Sequence, residues 1–356
     1  MIRPLRVAIA GYGTAGELHA RLLATRPRVR VVGVADITRA RRARASADHP
    51  GAAVASGLDR LETGIDLIVV ATPPVSHEGD TYVALTRHRA HVLCEKPAVL
   101  DPDRGRRLAE LASRSGLSLH PVHNYLHAAD FRRMRELIGS GVVGRVRKVT
   151  VGVTRTAPAA GTGAWMPAWR ADPAFAGGVL HDHGPHAVYL ACHLSGGPVA
   201  RVSCATVAGE RGADRTASLR LDIAGGVTAR IGLTWAGGRR SNRYQVDGTG
   251  GSLLLQGGRL RLVAAGRTRV WPAEDPASGG HVHAHWTDAL HSEFLARLGA
   301  PESGPWSAAI HVADVLRAAA VSVRNGGDAV PLSRVSSPGR RRGGRGAPGA
   351  AHPWRI

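Results

Sequence analysis

The chain has 356 residues, 44% hydrophobic and 21% charged, which is enough for about two domains and a sizeable core. No apolar run approaches the roughly 18 residues of a membrane span, no leader composition precedes the first strand pattern, and Cys94, Cys192 and Cys204 suggest neither disulfides nor a cysteine zinc site, so a cytoplasmic protein without a membrane partner is expected. The charge of +20 invites a nucleic-acid reading, but six arginines and no acid fall between Pro331 and Ile356 and aromatics are only 4%, so an arginine-biased composition with a basic tail is favoured and no nucleic-acid partner is expected.

From Leu5 to about Val122, short apolar runs alternate with helical stretches. Leu5–Ala10, Val29–Ala35, Leu67–Ala71, His91–Cys94 and Leu117–Val122 read as buried parallel strands, with helices at Ala15–Ala24, His77–Thr86 and Pro102–Ser115 between them. Such βαβ winding places ligands at the carboxyl ends of its strands. Ala129–Gly139 reads as a connecting helix, followed by strands at Arg145–Val153, Val199–Val207, Ser218–Ile223, Thr228–Trp235 and Ser252–Leu255 joined by glycine-rich turns. Helices are expected at Leu180–Leu194, Thr287–Leu298 and Ala308–Arg324. The fold class is therefore α/β: an N-terminal doubly wound parallel sheet over 1–125, then an α+β domain with an open, mostly antiparallel sheet over 126–332. Residues 333–356 concentrate like charge with little apolar surface and are expected to be disordered.

Gly11-Tyr12-Gly13-Thr14-Ala15-Gly16 follows the first strand and opens the first helix, the context a dinucleotide fingerprint requires. Backbone approach to a pyrophosphate and a helix N-terminus facing the phosphates follow from that placement. Asp36 ends the second strand, where a carboxylate accepts from an adenosine ribose and repels a 2′-phosphate. NAD is thus preferred over NADP, with Arg39, Arg41 and Arg42 as the residues that would favour NADP. Of 47 basic residues only Lys96 and Lys148 are lysines, and Lys96 sits in Glu95-Lys96-Pro97 directly after the fourth strand. A compact, tunable amine at that edge does what an arginine cannot.

These motifs, with Ala71-Thr72-Pro73-Pro74 and His77 after the third strand and the run Gly177-Gly178-Val179-Leu180-His181-Asp182-His183-Gly184-Pro185-His186, resemble the Gfo/Idh/MocA family of nicotinamide-dependent oxidoreductases from about Leu5 to Leu332. Val246-Asp247-Gly248-Thr249-Gly250-Gly251-Ser252-Leu253 looks like that family's sheet-closing turn. The resemblance implies a Rossmann domain, an α+β domain whose open sheet forms a homodimer or homotetramer, and an active site between them. It implies that Ala71, Thr72, Pro73, His77, Glu95 and Lys96 join the glycine loop and Asp36 at the cofactor. It further makes Lys96 the donor to developing charge on oxygen, His186 the general base and acid, and Asp182 its partner and substrate anchor. An i, i+4 spacing on a helix lets a carboxylate and an imidazole share one face.

Asn124, Tyr125, Trp169 and His183 are further candidates for contact with a small-molecule substrate, and Trp165 and Trp169 have the ring area to wall a sugar or, equally, to fill a core. Tyr189 stands where the family often has an acid three residues after the histidine. His181, His183 and His186, and His281, His283 and His285, invite a metal reading, but neither set has zincin spacing and no metal is expected. The favoured function is hydride transfer to or from a secondary alcohol or ketone of a sugar, amino sugar or cyclitol. A redox-neutral, NAD-cycling lyase or hydrolase and a non-catalytic dinucleotide-binding regulator remain the alternatives.

Overall fold

The computed structural model describes residues 3–159, 169–210, 212–274, 283–299 and 304–332. Trp165, His281 and the basic tail lie outside the described residues. In chain order the first elements are β1 (Leu5–Ala10), α1 (Thr14–Ala24), β2 (Val29–Ala35), α2 (Arg39–Asp48), β3 (Ala53–Ala55), β4 (Leu67–Val70), α3 (His77–Val83), β5 (His91–Cys94), α4 (Pro102–Arg114) and β6 (Leu119–Pro121). They are followed by α5 (Ala129–Gly139), β7 (Val146–Thr154), α6 (Val179–Ser195), β8 (Val199–Ala208), β9 (Asp214–Ile223), β10 (Val227–Thr234) and β11 (Ser241–Gly248). The last are β12 (Gly251–Gln256), β13 (Arg259–Ala264), β14 (Arg267–Pro272), α7 (Ala284–Ala296), α8 (Gly304–Arg324) and β15 (Val330–Pro331).

These elements form two compact units, each built from several stretches of chain. One comprises Met1–Ala128, Ala159–Ala176 and Gly280–Ile310, the other Ala129–Pro158, Gly177–Gly279 and His311–Ile356; the sequence reading has consecutive segments at 1–125, 126–332 and 333–356.

The first unit is a six-stranded parallel sheet in the order β3-β2-β1-β4-β5-β6. All four residues of β4 (Leu67, Ile68, Val69, Val70) are buried, as a strand covered on both faces requires. Val7, Ile9, Leu67, Val69 and Leu93 share one core with Leu23 of α1 and with Leu290 and Phe294 of α7. Side chains worth about 1.5–3 kcal/mol each on full burial make that cluster the unit's main apolar support. Asp101 caps α4, accepting from the Asp103 N–H at 2.9 Å with Pro102 at the first helical position. After Val83, α3 continues as a π-helical turn through His88.

The second unit holds a nine-stranded sheet ordered β14-β13-β12-β11-β7-β10-β9-β8-β15. Only β7 and β10 pair in parallel, and α6 packs against β7, β9 and β10. The β11–β12 turn is tied down by the Gly250 N–H donating to Val143 O at 2.9 Å and by the Thr249 hydroxyl accepting the Arg145 N–H at 3.0 Å. The α8 helix is long and apolar enough to cross a bilayer by length and composition, yet Trp306, Val312, Val315 and Ala319 on it are buried inside the protein, as on a core helix.

Candidate functional site

The carboxyl edge of the parallel sheet gathers most of the candidate residues of the first unit. The chain leaves β1 at Gly11, β2 at Asp36, β4 at Ala71 and β5 at Glu95, so four loops meet along one edge. Gly11 has φ +88°, and a Cβ there would stand 2.7 Å from the backbone of Ala71 and Thr72. A Cβ on Gly16 would overlap the Gly11 carbonyl oxygen, so α1 closes on the turn only with glycine at that place. At Gly13 the nearest atom to a Cβ is 3.7 Å away on Arg41, and as the N-cap residue Gly13 brings no side chain to cap α1. A glycine loop left open above a helix N-terminus whose N-cap is glycine fits a pyrophosphate, and Thr14, Ala15 and Gly16 form that first turn.

Asp36 is 6% exposed. Its two oxygens accept the Tyr12 and Thr38 N–H groups, each at 2.7 Å, and Arg41 lies 3.8 Å away. Each carboxylate oxygen accepts more than one hydrogen bond, so capacity for ribose hydroxyls is retained. Arg42 donates to the Asp36 and Ile37 carbonyls at 2.8 Å, fixing the loop rather than reaching a ligand. The Tyr12 hydroxyl donates to Asp48 at 2.9 Å; burial, then that hydrogen bond, raises its pKa, and the ring ties the glycine loop to α2.

His77, 1% exposed, spans two of the loops: Nε2 lies 2.7 Å from the Thr72 carbonyl and Nδ1 2.8 Å from that of Pro97. Thr72 donates its hydroxyl to Asp80 at 2.6 Å. Glu78 accepts the Leu100 and Asp101 N–H groups at 2.8 and 2.7 Å, holding the chain beyond the cis Lys96–Pro97 bond.

Glu95 contacts both the backbone of the candidate lysine and a histidine of α1. One oxygen accepts the Lys96 N–H at 3.0 Å and the other lies 3.1 Å from His19 Nε2. Burial disfavours the Glu95 charge, but the His19 hydrogen bond, the charges of His19 and Lys96 and the Lys96 N–H outweigh it and hold the carboxyl below its usual range. His19 Nδ1 is in turn 2.8 Å from His291 Nε2 on α7. Burial pushes His291 well below the ordinary value of 6.5, which favours the neutral ring, and its Nδ1 has no hydrogen-bond partner among the described residues.

After β6, Asn124 and Tyr125 open a 3-10 turn. Asn124 Oδ1 is buried without a hydrogen-bond partner among the described residues, and Tyr125 packs edge-on against Trp286 at 4.9 Å. Trp169 lies in a short turn with the Arg170 guanidinium 4.4 Å over its ring.

In the second unit, Asp182, His183 and His186 all lie on α6, which begins at Gly178. Gly178 has φ +120°, and a Cβ on it would collide with Asp214, whose carboxylate accepts the Leu180 N–H at 2.8 Å and fixes the start of the helix. The structure sets Asp182 3.7 Å from His183 and His186 Nδ1 2.6 Å from the Tyr189 hydroxyl. The sequence reading pairs Asp182 with His186 and notes Tyr189 only as standing in the place of an acid; the structure adds its hydroxyl contact with His186. The sequence reading missed His19, Glu78 and His291, which are 76 residues or more from their partners in the cases of His19 to Glu95 and His19 to His291 and carry no local signal.

The strand order, glycine turn and acid at the end of β2 define a dinucleotide-binding Rossmann unit, accompanied by a second unit dominated by an open sheet. Residues 5–123 match the family described as oxidoreductase family, NAD-binding Rossmann fold, and residues 131–254 match the GFO/IDH/MocA C-terminal domain. The chain belongs to the Gfo/Idh/MocA family of oxidoreductases. It is 31% identical over 285 residues to a dTDP-3,4-didehydro-2,6-dideoxy-alpha-D-glucose 3-reductase of Streptomyces violaceoruber, covering 77% of this chain and 79% of that one. With the D-glucoside 3-dehydrogenase of Escherichia coli K12 it shares 30% identity over 202 residues, and the match spans 56% of each protein. Among solved structures it is similar to GenD2 from gentamicin A biosynthesis in complex with NAD, with 25% identity, a TM-score of 0.79 and coverage of 93% and 97%.

Proposed function

We propose that this protein is an NAD-dependent dehydrogenase or reductase acting on a secondary alcohol or ketone of a sugar, amino sugar or cyclitol. The observation that carries this reading is the common edge: the open glycine loop, Asp36 and Glu95-Lys96 all leave the sheet at the carboxyl ends of neighbouring strands. Glu95 fixes the Lys96 backbone at that edge, and a dinucleotide with its pyrophosphate held over α1 would bring its nicotinamide end toward this lysine. The sugar substrates in the names of the two curated relatives support the substrate class.

When bound, NAD accepts or delivers a hydride at a substrate carbon. Glu95 fixes the Lys96 backbone, and the Lys96 ammonium donates to the substrate oxygen as charge develops on it. His186 moves the hydroxyl proton, and Asp182 anchors a neighbouring hydroxyl. Asn124, just after the carboxyl end of β6, contacts the substrate through its amide. The assembly is a homodimer or homotetramer formed through the nine-stranded sheet, located in the cytoplasm.

The test is to incubate the purified protein with NAD, or with NADH, and a panel of sugars, amino sugars, cyclitols and their ketones, following nicotinamide absorbance. Net change with at least one compound, abolished in Lys96→Met, is expected. NAD binding with no absorbance change across the panel contradicts the reading.

A further inference from the structure

Tyr189 follows His186 by three residues on α6, a spacing that puts the two side chains on neighbouring parts of the helix surface. The hydroxyl oxygen is 2.6 Å from His186 Nδ1, and the rings meet edge to face at 5.5 Å and 71°. Tyr189 is fully buried, while His186 keeps partial exposure. The phenol is therefore the fixed member of the pair and the imidazole is the one it orients.

The bond has a preferred direction. A phenol, with a pKa near 10, is a far better donor than a neutral imidazole N–H, and the bare ring nitrogen is a far better acceptor than a phenol oxygen. The Tyr189 O–H thus donates to His186 Nδ1, which must carry the lone pair. The ring's single hydrogen is then on Nε2. A carboxylate in the same place would do the reverse: it only accepts, so it would demand a hydrogen on Nδ1 and leave the lone pair on Nε2.

We propose that Tyr189 is the positioning residue of His186 and sets it as the Nε2–H tautomer, so that the resting, neutral ring offers substrate a donor and the site receives the carbonyl form of its substrate. This rests on the reading of His186 as the group that meets the substrate oxygen. A ketone oxygen only accepts, and it matches a ring that donates; the proton that then joins the reduced oxygen comes from the doubly protonated ring, which is left neutral with its hydrogen on Nδ1, facing the Tyr189 oxygen. Taking a proton from an alcohol needs a lone pair on Nε2, which requires the hydrogen to move to Nδ1 and Tyr189 to turn from donor to acceptor. The equilibrium of the overall reaction is untouched; what the tyrosine changes is which form of the substrate the ground-state site binds more tightly.

The experiment reads the tautomer directly, with no substrate needed. Protein labelled with nitrogen-15 at histidine is studied by NMR at a pH where the ring is neutral, the His186 signals being assigned by their loss in His186→Asn. Wild type is expected to show a protonated Nε2 and a lone-pair Nδ1, Tyr189→Phe a loss of that preference, and Tyr189→Asp the opposite tautomer. A protonated Nδ1 in wild type, or the same tautomer in wild type and Tyr189→Phe, overturns the proposal, and the wild-type spectrum decides even where Tyr189→Asp does not fold. Turnover of His186→Asn separates the two claims: full turnover there, with Nε2–H seen in wild type, would remove His186 from catalysis while leaving the Tyr189 assignment standing.

Discussion

Lys96 and Asp36 are the residues on which the proposed function turns, and both stand out in the sequence by their place in the chain, each just beyond a predicted strand. Lys96→Arg keeps the charge but replaces the compact amine with a planar fork. A drop in turnover of at least about tenfold, roughly 1.4 kcal/mol of barrier, is expected with NADH affinity nearly unchanged, and Lys96→Met should be slower still. Steady-state kinetics beside NADH fluorescence titration checks both halves. At Asp36 the wild-type protein should bind NADH more tightly than NADPH, because the carboxylate repels a 2′-phosphate. Asp36→Asn keeps an acceptor but removes the charge, leaving Arg41, 3.8 Å from that carboxylate, to meet the phosphate. The preference should narrow or reverse, and an unchanged ratio of dissociation constants would show that Asp36 does not set it. The contacts that support the neighbouring candidates Glu95 and His186 were not legible. His19 meets Glu95 and His291 through the fold alone, and Tyr189, noted in the sequence only for standing in the place of an acid, shows its contact with His186 once its hydroxyl is placed.

Among the elements, the buried strands and amphipathic helices could be read from pattern, and the exceptions have physical reasons. α2 (Arg39–Asp48) buries only Ala45 and is polar on nearly every side, so it shows no apolar stripe. β13 and β14 are arginine-studded strands, and β14 lies at the sheet edge, where charge guards against unwanted pairing while hiding the strand signal. The elements around β6 and α7 also carry a pH dependence. Burial lowers His120 to about 4, His123 to about 3 and His291 well below 6.5. As the pH falls below about 6.5 the unfolded chain takes up protons at these rings and the folded unit does not, so stability that is complete above that pH is lost as acid increases. Each ring contributes a slope of about 1.4 kcal/mol per pH unit between its two pKa values. Urea melts at about pH 7 and about pH 5 should show a markedly lower midpoint in acid. Equal midpoints would mean that these histidines are not held neutral in the folded unit.

At the scale of the molecule, the class of each sheet was legible because parallel, doubly covered strands and alternating, half-buried strands leave different patterns. The interleaving of the two units was not, since it depends on α7 returning to the parallel sheet through Leu290 and Phe294 after the second sheet is complete. Assembly is expected through the open face of that second sheet, where Val207, Val263 and Val270 are exposed. Sedimentation should show a dimer or tetramer that Val263→Glu with Val270→Glu dissociates, and a wild-type monomer would rule this out.

The central claim is that a hydride passes between the dinucleotide and a substrate carbon at the edge holding Lys96. Mass spectrometry of the product formed from nicotinamide-deuterated NADH and a ketone found active in the panel tests it most directly. One deuterium on the new hydroxyl-bearing carbon for each NADH oxidised, with none in Lys96→Met, is the predicted result. Product without the label, or NADH bound but never consumed, would contradict it.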